Sequence, residues 1–306
     1  MDSRTINGST TNFTYAGDLM ATASGAENFD LTWDENGNMT GGLGPPRQYN
    51  WDNKLRNAIQ PPIARIDLKY DPDGNRVWKW SSQFGAPRKY VLDIVGDLPV
   101  ILMEIDPADG SIQKTYIYAN SQIIAQHDGD HSAPRHFYLH DRLGSVRQVI
   151  NITGNVVKYY TYEPFGKTLE EGGTLTNAFL FTGQYYDSEI SEYYLRARQY
   201  YPRISRFTSR DVVAGVFEQP LSLHKYLYCQ NEPINRIDPV GLFYFPRDIK
   251  LYSPGESFSV SETRQIIAAA TKMVGEHPYY GPTRAFWRHG THGVGEFDYK
   301  VYRETF

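Results

Sequence analysis

The 306-residue sequence has a single cysteine, Cys229. One thiol makes no internal disulfide and no zinc cluster, so Cys229 reads as a small buried hydrophobe. No apolar run reaches the ~18 residues of a membrane-spanning helix. The start, Met1 to Thr5, has no apolar stretch behind it and lacks the pattern of a secretory signal. These absences predict synthesis in the cytoplasm, with export or surface display left to a route the chain does not encode. Charge of one sign is also scarce. A formal net charge of -4 gives the bulk of the chain no electrostatic reason to bind nucleic acid. His136, His140 and Asp141 lack metal-ligand spacing with any cluster, and no cofactor or metal is expected.

What the chain has instead is 24 Tyr, 26 Gly and 18 Pro. Many tyrosines among many turn-formers predict short strands broken by tight turns. A phrase also repeats. Trp33-Asp34-Glu35-Asn36-Gly37-Asn38 returns as Tyr70-Asp71-Pro72-Asp73-Gly74-Asn75. Weaker copies are Ile105-Asp106-Pro107-Ala108-Asp109-Gly110, Asp141-Arg142-Leu143-Gly144-Ser145 and Asn151-Ile152-Thr153-Gly154-Asn155, and Tyr49-Asn50-Trp51-Asp52-Asn53 is truncated. The Asp side chain accepts from the turn backbone, and the Gly or Asn takes a positive φ. The aromatic before the Asp sits on a strand. Residues 1–165 are therefore expected to be successive β-hairpins.

The texture then changes. An ordered series runs through His140-Asp141-Arg142-Leu143-Gly144, Glu163-Pro164-Phe165-Gly166, Phe181-Thr182-Gly183-Gln184-Tyr185 and Tyr193-Tyr194-Leu195-Arg196-Ala197-Arg198-Gln199-Tyr200-Tyr201. It continues through Arg206-Phe207-Thr208-Ser209-Arg210-Asp211 to Asn231-Glu232-Pro233-Ile234-Asn235-Arg236-Ile237-Asp238-Pro239-Val240-Gly241-Leu242. The series resembles the RHS repeat-associated core domain of bacterial polymorphic toxins and of insecticidal toxin-complex C components, and the repeats before it resemble YD repeats. The resemblance divides the chain into a YD-repeat hairpin region (1–134), an RHS core (135–242) and a variable C-terminal segment (243–306). It implies a mainly β fold, with hairpins of a spiral, cocoon-type sheet forming a partial shell, a core that plugs it, and a small α+β tail.

The resemblance also implies chemistry. Family members cleave themselves after the Leu of a second Asp-Pro-x-Gly-Leu motif, which here is Asp238-Pro239-Val240-Gly241-Leu242. The expected scissile bond is Leu242–Phe243. The first motif aligns with Asp211-Val212-Val213-Ala214-Gly215, which keeps the Asp, replaces the Pro and displaces the Gly by one residue. Two carboxylates suffice for peptide hydrolysis: one ionised to activate water, one protonated to donate to the carbonyl. Arg206, Arg210 and Arg236 are candidates to hold an Asp ionised. Pro239 rigidifies the turn, and Gly241 permits a bent approach. Arg196 and Arg198, set among tyrosines, are expected to stack on aromatic rings rather than act in catalysis. For Asp211 and Asp238, turn formation is the competing role.

Beyond Leu242 the composition shifts. Ser259-Val260-Ser261-Glu262 is a capping box, and a helical pattern follows from Glu262 to Val274, stopped by Gly275. The final stretch resembles a type 44 polymorphic toxin segment through Gly295, Asp298, Tyr299 and Lys300. His289, His292, Asp298 and Lys300 form a candidate toxin site. A His base with a Lys suits a metal-independent ribonuclease, while two His and two carboxylates suit a divalent metal. A segment this short is small for an autonomous enzyme. The expected partners are an immunity protein, further shell or secretion components and, for the tail alone, nucleic acid. Two other functions stay open at this stage: a non-enzymatic YD-repeat module that binds carbohydrate through its aromatic rings, and an inactive remnant of a toxin cassette.

Overall fold

The repeated phrase closes hairpins with one hydrogen-bond scheme, except at Ile105–Gly110, where Asp106 Oδ1 accepts the Ala108 amide and its carbonyl accepts the Gly110 amide. At Asp34, Asp71, Asp141 and Asn151, the side-chain Oδ1 accepts the amide four residues on, at 2.8, 2.8, 2.9 and 2.9 Å. The main-chain carbonyl of the same residue accepts the amide of Gly37, Gly74, Gly144 or Gly154, each at 3.0 Å. These glycines have φ between +80° and +84°, the left-handed region that favours glycine. The truncated copy repeats the scheme, with Asn53 taking φ 57° in place of a glycine.

The computed structural model describes residues 3–246, apart from Asn7, 61–63, Gln83, Phe84, Gly96, Asp97, Asn120, Ser121, Val216 and Glu218. The expected α+β tail, with its helix over Glu262–Val274 and its candidate site at His289, His292, Asp298 and Lys300, lies outside the described residues. The described residues belong almost entirely to one compact unit, Met1–Asp93 with Val100–Arg247. They are mainly β, as the hairpin reading expects, with only short 3-10 turns besides.

Four antiparallel strands, Ser3–Ile6, Ser9–Ala16, Leu19–Gly25 and Phe29–Asp30, make a first sheet. From Arg47–Tyr49 to Thr168–Gly173, a 12-stranded antiparallel meander follows in strict chain order. It passes through residues 134–135 without interruption, since Gln122–His127 pairs with Arg135–His140. A small sheet of Tyr185–Asp187, Glu192–Leu195, Arg198–Tyr201 and Arg206–Phe207 comes next. Last, Arg236–Ile237 pairs with Phe245–Pro246.

The tyrosines explain how these layers pack. Tyr90, Tyr116, Tyr138 and Tyr160 lie on alternate strands of the meander and are all buried. They meet Phe179, Phe181, Tyr185, Tyr193, Tyr200, Phe207 and Tyr228 of the core segment in one hydrophobic cluster. Burying such a ring stabilises by roughly 1.5–3 kcal/mol, and edge-to-face pairs add about 0.5–1.5 kcal/mol. Tyr116 stands edge-on to Phe179 at 4.8 Å, and Tyr200 stacks on Tyr228 at 4.4 Å. A buried hydroxyl needs a partner. Tyr116 donates to Glu104 at 2.8 Å and Tyr138 to Gln126 at 2.5 Å. These tyrosines are therefore an interior feature.

Buried charges fix the register of the core segment on the sheet. Arg76 bonds Asp187 at 2.6 Å, Lys79 bonds Asp187 and Glu189 at 2.9 Å each, and Arg47 bonds Glu192 at 2.5 Å. Every side chain in these pairs is at most 1% exposed. Burial alone would raise the Asp187 carboxyl, but Arg76 and Lys79 outweigh it and hold it down at about 2. Such pairs add little net stability over apolar packing. Removing one partner strands the other, which penalises any misplaced docking.

Candidate active site around Asp211 and Asp238

The strand Arg198–Tyr201 sends its first side chain toward two chain segments that are remote in sequence. Arg198 bonds Asp211 Oδ2 from Nη2 at 2.8 Å. Its Nη1 donates to the Lys225 carbonyl at 3.0 Å, and its Nε donates to the Gly241 carbonyl. The guanidinium also lies 3.6 Å from the centre of the Phe207 ring. The expected aromatic stacking is present, and the same guanidinium ties Asp211 to the junction.

Asp211 is fixed further by its own turn. Its Oδ1 accepts the Val213 amide at 2.8 Å, and its amide donates to the Lys225 carbonyl at 3.1 Å. The Asx turn survives without the Pro and Gly of the family motif. Lys225 closes that loop by donating to the Val213 carbonyl at 2.6 Å.

Asp238 begins the junction turn and is 3% exposed. Its Oδ1 accepts the amides of Gly241 at 2.7 Å and Leu242 at 3.2 Å. The carboxylate therefore touches the residue that precedes the expected scissile bond. Burial pushes the Asp238 carboxyl up; Arg198 and the two amides oppose this and nearby Asp211 reinforces it, leaving it at about 7. At neutral pH it is divided between its protonated and ionised forms.

Gly241 is required here. It takes φ +75°, and a Cβ would stand 2.6 Å from the Leu195 carbonyl oxygen. Neighbouring groups hold the rest of the turn. The Ala197 amide donates to the Val240 carbonyl at 3.0 Å, and Arg196 donates to the Pro239 carbonyl at 2.5 Å and to Gln184 Oε1 at 3.0 Å. Arg196 itself takes φ 59° in the turn between Glu192–Leu195 and Arg198–Tyr201, and both arginines reach the junction.

The three arginines expected to serve the aspartates are engaged elsewhere. Arg206 donates to the Ser205 carbonyl at 2.9 Å and to Asn231 at 3.1 Å. Arg210 is exposed and lies beside Gly37. Arg236 pairs with Glu232 at 2.9 Å and with Gln230 at 2.8 Å. The correction has a physical reason. Nearness in sequence favoured Arg210 for Asp211 and Arg236 for Asp238, but both aspartates turn inward toward the preceding strand. Arg198 was visible as a cation in an otherwise aromatic run, a placement that demands a buried anion.

Among the described residues, no group of His, Cys, Asp and Glu side chains is arranged to hold a metal ion. Cys229 is buried and its thiol is pushed far up by burial, with Asp238 adding to the shift.

Comparison with known proteins shows the family and the fold. The family model described as Teneurin YD-shell matches residues 27–234. The chain is 30% identical over 220 residues to the tRNA nuclease WapA of Bacillus subtilis (strain 168), a match covering 69% of this chain and 9% of that protein. It is 40% identical over 104 residues to salivary gland surface protein 1 of Aedes aegypti, covering 33% of this chain and 3% of that protein. The crystal structure of TcdB2-TccC3-Cdc42 superposes with a TM-score of 0.55 at 18% identity, over 76% of this chain and 13% of that one. The Photorhabdus luminescens Tc holotoxin pore gives 0.54 at 16% identity, over 81% of this chain and 14% of that one. The chain thus spans only a small part of the length of the relatives it matches.

Proposed function

Because this chain belongs to the Teneurin YD-shell family of RHS/YD-repeat proteins, we propose that it is a shell segment and core of a toxin carrier that hydrolyses its own Leu242–Phe243 bond. The cut frees the segment 243–306 as an effector. The observation that carries this reading is the single guanidinium of Arg198, which holds Asp211 and the Gly241 carbonyl together while Asp238 caps the amides of Gly241 and Leu242.

Roles follow from the environments. Asp211, paired with Arg198, takes a proton from the attacking water. Asp238, raised by burial, is the protonated member and donates to the Leu242 carbonyl oxygen. Water adds to the Leu242 carbonyl carbon, the C–N bond to Phe243 breaks, and the amine leaves with a proton. Arg198 fixes the Asp211 carboxylate and, through the Gly241 carbonyl, the turn that Asp238 caps, and is a positioning residue. Arg196 and Gly241 keep the turn bent.

The rest of the carrier supplies further shell around this segment, and an immunity protein neutralises the effector in the producing cell. The effector's substrate is nucleic acid, with His289, His292, Asp298 and Lys300 as the groups that act on it. WapA relatives bear the name tRNA nuclease, which supports that substrate class. The carbohydrate-binding alternative draws little from the fold, because Tyr90, Tyr116, Tyr138 and Tyr160 are buried and Tyr116 and Tyr138 use their hydroxyls internally.

Incubating the purified chain and sequencing the N-terminus of any small fragment tests the reading. A fragment that begins at Phe243 supports it. A fragment that begins elsewhere, formed equally by an Asp211→Asn variant, removes the aspartate pair from the reaction.

A further inference from the structure

The chain folds back on itself across the expected scissile bond. Ile237 pairs with Phe245 and Arg236 with Pro246 in an antiparallel register, so residues 238–244 form the connecting loop. The upstream half of that loop is held by Asp238, Arg198 and the Ala197 amide. The downstream half has its own fastening. The Arg236 guanidinium lies 4.6 Å from the centre of the Tyr244 ring, two residues past the bond. Glu232 at 2.9 Å and Gln230 at 2.8 Å hold that guanidinium in place. Tyr244 packs partly buried against the main hydrophobic cluster. The residue that sequence proximity assigned to Asp238 thus grips the opposite side of the junction.

We propose that Arg236 and Tyr244 form the leaving-side subsite of the cleavage and a latch that keeps the severed C-terminal segment docked once the bond is cut. The inference rests on the self-cleavage reading and adds a second step to it. Hydrolysis removes one covalent bond but neither the strand pairing of 236–237 with 245–246 nor the ring under Arg236. The new Leu242 carboxylate stays with the upstream clamp, and the new Phe243 amine starts a strand that is still paired. Cutting and release are separate events, and release requires the short strand to peel away. Arg236 is a positioning residue: it sets which peptide bond lies against Asp238 by fixing the ring at 244.

The test uses the full chain after self-cleavage, run on gel filtration under native conditions, with the fragment masses read in each peak. The severed segment co-elutes with the core for the wild type. Tyr244→Ala and Arg236→Ala release it roughly tenfold faster, the effect of losing one partly buried cation–ring contact. Arg236→Ala also spreads the cut to bonds beside Leu242–Phe243, which a merely structural role would not do. Tyr244→Phe keeps the ring and behaves as wild type, which separates the latch from a folding defect. If wild type does not cut itself, a recognition sequence inserted between Leu242 and Phe243 and cut by an added protease tests the latch alone. A wild-type segment that elutes separately, or a Tyr244→Ala segment retained as firmly as wild type, overturns the proposal.

Discussion

Eight described residues other than glycine take a positive φ, and seven of them lie between Thr182 and Asn231 in the core segment; the meander has only Asn53. The meander meets its left-handed turn positions with glycine and uses one turn scheme repeatedly. The core segment places Thr, Ser, Arg, Cys, Gln and Asn in that region and buries Asp187, Glu189, Glu192, Arg198 and Asp238. One region repeats a cheap local solution and buries the cations Arg47, Arg76 and Lys79. The other supplies the acids that meet them and accumulates backbone strain, which is tolerated where the surrounding structure over-determines it. The strained backbone at Arg196 and the buried carboxyl of Asp238 belong to the candidate site, so the strain sits where the proposed chemistry needs it.

Perturbing the buried ions has the largest expected effect. Asp187→Ala leaves Arg76 and Lys79 without their shared anion, and the loss should be about 3–5 kcal/mol, read as a lowered midpoint in chemical denaturation. An equal loss for Asp73→Ala, in an exposed meander turn, would erase the difference between the regions.

Next is the clamp. Arg198→Ala should slow self-cleavage by about 10²–10³-fold while the meander stays folded. Arg198→Lys should not restore it, because one ammonium cannot reproduce the planar fork that spans Asp211, Gly241 and Lys225. Quantifying the fragments over time checks both variants.

A pair of glycine substitutions sharpens the contrast. Gly154→Ala meets φ +84° but open space, so it should cost about 1–2 kcal/mol and leave cleavage intact. Gly241→Ala meets φ +75° and the Leu195 carbonyl at 2.6 Å, so the junction must shift and cleavage should be lost.

Acidity has the smallest effect on the fold and a clear sign. The folded pKa of Asp238 is raised to about 7. Its stabilising contribution is complete below the unfolded carboxyl value and is lost as pH rises through about 7. Asp187, lowered to about 2, contributes in the opposite sense: its stabilisation is present above the unfolded value and is lost as pH falls toward about 2. Cleavage that needs protonated Asp238 should decline above pH 7 by up to about tenfold per pH unit, measured as initial rates across a pH series.

The two regions were also unequally legible in the sequence. The repeated Asp-to-Gly spacing specifies its turn locally, so the hairpins followed from composition and the repeat. The Asp238 to Leu242 junction was legible as a motif, and Asp211 kept its Asx turn despite the altered residues around it. The partners were not legible. Arg47, Arg76 and Lys79 pair with acids that lie far along the chain, and alternation tells which side faces inward but not what it meets. Arg198 was assigned to a ring, correctly for Phe207, yet its three polar contacts depend on loops whose return paths no local pattern encodes.

The most direct test of the central claim is the intact mass of the purified chain beside an Asp238→Asn variant, which keeps the shape of the turn and removes the titrating group. The account predicts that wild type resolves into masses for 1–242 and 243–306 while the variant remains whole. Two folded proteins that both stay whole, or that both split, would contradict it.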